Sequence, residues 1–198
     1  GTAAWYPVPE LRKSGDVDLL LKDETEAHRA LEILNEKGFQ TTGNQLAHHH
    51  IVCESPDRIS IELHMSLAEP FDSEKINQYL VAQQAEDFTN RRAVNSMGVA
   101  FQLASDGYHA FYLLLHMLQH YVRAGFGIKL LCDWVVFWES DVSDDEKSKF
   151  LHLVRESKTL GFAAMMTRVC VRYLGLQEEK MAFLLQESDT IKAERRMD

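Results

Sequence analysis

The periodicity of the apolar residues changes once along the chain, and that change limits the possible folds more than any other feature. Residues 16–65 mix strand-like and helix-like segments. DVDLLL, from Asp16, reads as a strand, and a helix follows over about 24–37. Asp23 with Glu26 three residues later forms a capping box for that helix, Ala27, Leu31 and Leu34 line one face, and Gly38 ends it. HHHIVCE and RISIELHM are two extended runs around SPD, where Pro56 presets a turn, so they predict an antiparallel hairpin. In the second run Ile59, Ile61 and Leu63 alternate with Ser60, Glu62 and His64. The apolar set should pack on the helix, with Glu62 and His64 on the opposite face.

Beyond about Phe71 the pattern is mostly helical, with candidate helices at 74–87, 106–124, 128–138, 144–160 and 162–174. Ser143 and Glu146 form a second capping box, Gly161 marks a break, VAFQL before Ser105 alternates like a short strand, and the polar tail KAERRMD should fray. The expectation is an α+β protein with an α/β core over 1–70 and a helical region over 71–198 packed on it.

Composition excludes several function classes. With 21 basic and 30 acidic residues the formal charge is -9, which argues against gripping a long nucleic acid and leaves room for a small anion in a local basic pocket. Cys53, Cys132 and Cys170 are odd in number, widely spaced and set among apolar residues, the pattern of reduced thiols in a cytoplasmic protein. FYLLLHMLQHYV is interrupted by His116, Gln119 and His120 and closed by Arg123, short of the ~20 apolar residues of a membrane span. No basic-then-apolar signal segment opens the sequence.

Asp16 and Asp18 raise the main chemical question. On a strand they point to one side with α-carbons roughly 6.5 to 7 Å apart, so both carboxylates can converge on one hard cation such as magnesium. Val17 should face the core, and Gly15 should allow a tight turn before the strand. Without a cation the like charges repel. Aspartates also end strands simply because they favour turns, and that plainer explanation stands beside the metal one. A third carboxylate, Glu62, projects from the polar face of a strand that the strand, helix, hairpin order can bring beside the first. Three carboxylates from two strands suit two-metal phosphoryl or nucleotidyl transfer.

The order G-T, then R-x-x-G-D-V-D-L-L, a helix ending in K-G-F, I-E-L-H, H-x-x-x-H and G-I-K-x-L-C-D resembles the uncharacterised bacterial nucleotidyltransferase family of the DNA polymerase beta-like superfamily, from Gly1 to about Trp138. The resemblance implies a mixed sheet with helices, with one strand of that core expected before Gly1. It matches Asp16, Asp18 and Glu62 to the metal-binding acidic positions, with Mg2+ or Mn2+ as cofactor. Gly1 and Thr2 match the helix-opening glycine and small hydroxyl residue, where serine is commoner, so Thr2 and nearby backbone amides would cradle the triphosphate of a nucleotide. Arg12 would add positive charge near the phosphates or stand as a solvated loop residue. One ion would bridge carboxylates and triphosphate, a second would activate an acceptor hydroxyl, and Glu62 would hold that ion or take the proton.

Alternation sends His49 to one face of its run and His48 and His50 to the other, and the loop does not fix which face meets Glu62. His49 and His64 are candidates to line the cleft, with a hydrogen-bonded structural role as the alternative. His116 and His120 lie one helical turn apart and could chelate a metal, yet no glutamate follows His116 as in zinc proteases, so polar contacts between the helical part and the cleft, structural or substrate-facing, are the better reading. Lys129 is a further cleft candidate or an ion-pair partner of Asp133, and Trp134, Phe137 and Trp138 read as core aromatics. The function expected is nucleoside monophosphate transfer from a nucleoside triphosphate to a small-molecule or protein hydroxyl. The alternative is a catalytically silent relative that binds a nucleotide or a protein, and a metal-dependent phosphohydrolase is more distant.

Overall fold

A computed structural model describes residues 2–13, 15–42, 50–96, 98–123 and 125–194. The chain divides into two compact units, one of residues 10–89 and the other of residues 1–9 with 90–198. The first unit thus extends through a helix beyond the boundary expected near 70, while Thr2 to Pro9 groups with the helices.

The first unit holds β1 (Val17–Leu20), α1 (Glu24–Glu36), β2 (Gln40–Thr42), β3 (His50–Glu54), β4 (Ser60–His64) and α2 (Glu74–Asn90). Its sheet runs in the order β1-β4-β3-β2, with β1 parallel to β4 and the other pairs antiparallel. The hairpin expected around SPD is β3–β4, closed by Ser55 N donating to Ile59 O at 3.0 Å. At the start of α1 the Glu26 amide donates to Asp23 Oδ1 at 3.0 Å, and the Glu26 carboxylate accepts from the Lys22 amide at 2.9 Å. Gly38, at φ +85°, provides the left-handed turn that ends the helix.

Ile51, Cys53 and Leu63 form the core of this unit, packed against Ala30, Leu31 and Leu34 of α1 and Phe39. α1 therefore covers β3 and β4. Val17 and Leu19 lie in register with Ile61 and Leu63 on the same sheet face, but β1 is an edge strand and they remain 45% and 41% exposed. Val17 thus takes the core-side face as expected but is not buried in the core, and Ile59, in the turn before β4, is likewise exposed.

The second unit begins with a short 3-10 helix, Thr2–Trp5, and continues with a hairpin of β5 (Arg92–Ser96) and β6 (Val99–Leu103). It then runs through α3 (Asp106–Arg123), α4 (Ile128–Glu139), α5 (Asp144–Glu156), α6 (Leu160–Leu174) and α7 (Ala182–Glu194). VAFQL is β6, but its partner β5 was not anticipated, and neither was α7. The helix break lies at 157–159 rather than at Gly161, which falls in the first turn of α6. There the Ser157 hydroxyl bonds Leu153 O at 2.7 Å, and Lys158 takes a positive φ of 62°. Phe111, Trp134, Phe137, Trp138 and Phe150 are fully buried, and the last four pack edge to face, as the aromatic core reading requires. The three cysteines are free thiols, and no helix among the described residues is long and apolar enough to cross a membrane.

Leu63 carries the core that positions β4. Leu63→Ala should lower the unfolding free energy by about 3 kcal/mol in denaturant titration, since the fully buried side chain leaves a cavity between sheet and helix.

Candidate functional site

Parallel pairing of β1 with β4 sets Asp18 opposite Glu62 and Leu20 opposite His64. Residues in register on adjacent strands point to the same side, so Asp18, Glu62 and His64 share the sheet face opposite α1. The antiparallel partner β3 adds His50 opposite His64, with ring centroids 5.1 Å apart. One ligand atom from each of Asp18, Glu62 and His64 lies within 4.8 Å of the others, a spacing that can hold a metal ion.

His64 stands between the two carboxylates. Its Nε2 lies 2.9 Å from Asp18 Oδ1 and 3.4 Å from Glu62 Oε2, while His50 Nε2 is 3.8 Å from the same Glu62 oxygen. Burial alone would push the imidazole pKa down, but the hydrogen bonds it donates to Asp18 and Glu62, reinforced by their charges, raise it to about 9. The hydrogen bond from His64 holds Glu62 below the usual carboxylate range, against burial and the neighbouring charge of Asp18. The repulsion expected of crowded carboxylates is therefore offset within the chain, by an imidazolium.

Asp16 stands one residue before β1 and is not part of this three-residue group. Gly15 has no positive φ, and a Cβ there would meet nothing within 4 Å, so the free chain does not require glycine for a tight turn. Arg12 lies in the same unit, partly buried. Gly1 and His49 lie outside the described residues.

In the helical unit Thr2 Oγ1 is 3.5 Å from His109 Nε2, Trp5 packs against His109 and Phe137, and the Tyr6 hydroxyl donates to Asp133 Oδ1 at 2.6 Å. Asp133 is only 1% exposed, which puts it in the core rather than at an acceptor surface, and Lys129 is partly buried on α4. His116 and His120 meet on α3 with their Nε2 atoms 2.8 Å apart, so one ring donates and the other accepts. Sequence reasoning left open whether the face of His49 or that of His50 meets Glu62, and it missed His109 and Gln84. The register of the hairpin through Ser55 and Ile59 places His50, and Gln84 shows only as a polar residue one turn after Leu80 on the buried face of α2.

Two measurements follow. His64 gains protons on folding, because its folded pKa lies above the ordinary 6.5; its contribution is complete below about pH 6.5 and is lost as pH rises through about 9. Denaturant titrations in chelator should show stability falling across that window by an amount on the order of 2 kcal/mol, and His64→Gln should flatten the decline. Protein purified without metal-affinity steps should hold no stoichiometric zinc at His116 and His120. Among the described residues no third histidine, cysteine or carboxylate groups with them, and zinc sites need three or four protein ligands. Elemental analysis reads this directly.

A search of curated proteins finds no significant match. Among solved structures, an antigenic nucleotidyltransferase-like protein from Paracoccidioides brasiliensis is similar at 19% identity, over 82% of this chain and 79% of that one, with a TM-score of 0.41. The sequence model of the family described as uncharacterised nucleotidyltransferase matches residues 1–175. With its acidic strand pair inside a match that takes in both units, the chain belongs to that nucleotidyltransferase family.

Proposed function

We propose that the protein transfers a nucleoside monophosphate from a nucleoside triphosphate to a hydroxyl on a small molecule or a protein, with Mg2+ or Mn2+ as cofactor. The observation that carries this reading is the register of Asp18 with Glu62, which gives two carboxylates on one sheet face in a chain of the nucleotidyltransferase family. Their oxygens fit a hard divalent ion, which keeps several waters and takes one or two protein carboxylates. When bound, such an ion supplies charge neutralisation at the phosphates and lowers the pKa of a coordinated hydroxyl.

The residues of the chain then divide the remaining work. Asp18 and Glu62 bind the cation, and Asp16, two residues before Asp18, adds the further carboxylate that the resemblance assigns. Glu62, held below the usual carboxylate range, is better suited to ligation than to taking a proton from an acceptor hydroxyl. His64 orients both carboxylates through its hydrogen bonds. Gly1, Thr2, Arg12 and Gly15 bind the triphosphate, while His49, His116, His120 and Lys129 are assigned to the acceptor side.

One observation favours a second reading. His64 already balances the carboxylates without any ion, and a silent relative that binds a nucleotide or a protein needs nothing more. Incubating the protein with each labelled nucleoside triphosphate, a divalent ion and cell extract separates these. Transfer of labelled monophosphate is expected, and Asp18→Asn should lower it by at least about a hundredfold, in line with loss of a metal ligand. Release of free phosphate alone would identify a phosphohydrolase, and no labelled product would favour the silent relative.

A further inference from the structure

α2 buries two polar side chains beside one leucine: Leu80, Gln84 and Asp87, at helical spacing, make its inward face. Burying an amide is costly unless its donors and acceptor are all paired. Gln84, 9% exposed, meets that condition. Its Oε1 accepts from the Leu67 amide at 3.1 Å, and its Nε2 donates to Met65 O at 3.1 Å and, more loosely, to Leu21 O at 3.5 Å.

Leu21 is the residue after β1, and Met65 the residue after β4. At these points the strand ladder stops, the Leu21 amide making a last bond to His64 O at 2.8 Å, and the carbonyls beyond it need other partners. β1 is a four-residue edge strand with half-exposed apolar side chains, so little packing holds it against β4. Asp18 lies three residues before Leu21, and Glu62 and His64 lie three and one before Met65. A single carboxamide spans both strand ends, and glutamine offers the two donors and one acceptor that the three backbone groups require.

We propose that Gln84 is a positioning residue for the cation site, fixing the ends of β1 and β4 so that the Asp18 and Glu62 carboxylates stay opposite one another. The inference rests on the reading of those carboxylates as cation ligands. Residues that orient metal ligands from behind typically change metal affinity by about tenfold or more when lost.

The test uses Mn2+ as the probe, its free concentration read by electron paramagnetic resonance at a temperature where circular dichroism shows each protein folded. Gln84→Met keeps the shape and removes all three bonds; Gln84→Asn keeps the amide but withdraws it by one methylene, and serves where the methionine variant does not fold. Either should bind Mn2+ about tenfold more weakly than the parent. Leu80→Ala, on the same helix face, controls for general loss of stability and should bind as the parent does. A folded Gln84 variant with parental affinity, or a Leu80→Ala protein weakened just as much, overturns the role of Gln84. A parent that binds no Mn2+ overturns the cation site itself, and the inference with it.

Discussion

Everything at the β1–β4 face depends on how two carboxylates are kept together. Asp18 and Glu62 sit opposite one another because their strands are parallel and in register, and the His64 imidazolium between them offsets their repulsion. A buried imidazole resists protonation, so the rise of its pKa to about 9 comes from the hydrogen bonds and charges of the two carboxylates. Under the proposed function the same attraction would serve a divalent cation, which would supply a second unit of positive charge.

The scaffold explains why that arrangement holds. α1 covers β3 and β4 through Leu31, Leu34 and Leu63, which makes β4 the rigid member of the pair. β1 is placed by its ladder to β4, and beyond the ladder's end the Gln84 amide donates to Met65 O and, more loosely, to Leu21 O. The site therefore couples one well-packed strand to one lightly packed edge strand, and small shifts of β1 change the separation of the carboxylates directly. The helical unit is built differently, around aromatics packed edge to face, where Trp134 Nε1 donates to Thr167 Oγ1 at 3.2 Å.

Much of this was legible in the sequence. Strict alternation in RISIELHM placed Glu62 and His64 together, the Asp23 and Glu26 box opened α1, and the turn at SPD joined β3 to β4. Strand pairing across the chain was less legible, because periodicity names the face of a residue but not its neighbour. Asp18 could thus be paired with Asp16 by spacing, whereas the register joins it to Glu62 and His64. The exposure of Val17 was hidden for the same reason: an alternating pattern looks alike on an edge strand and a central one. The hairpin partner β5 and the helix α7 carry weak apolar patterns, and Gly161 misled because glycine is tolerated in the first turn of a helix.

The central claim is that the Asp18 and Glu62 pair accepts a nucleotide through a divalent cation. Calorimetric titration of the parent protein with a non-hydrolysable nucleoside triphosphate, once with magnesium and once with chelator, tests it most directly. Clearly tighter binding is expected with magnesium. Equal affinity in the two conditions would contradict it, and would leave Asp18, His64 and Glu62 as a structural ion pair network.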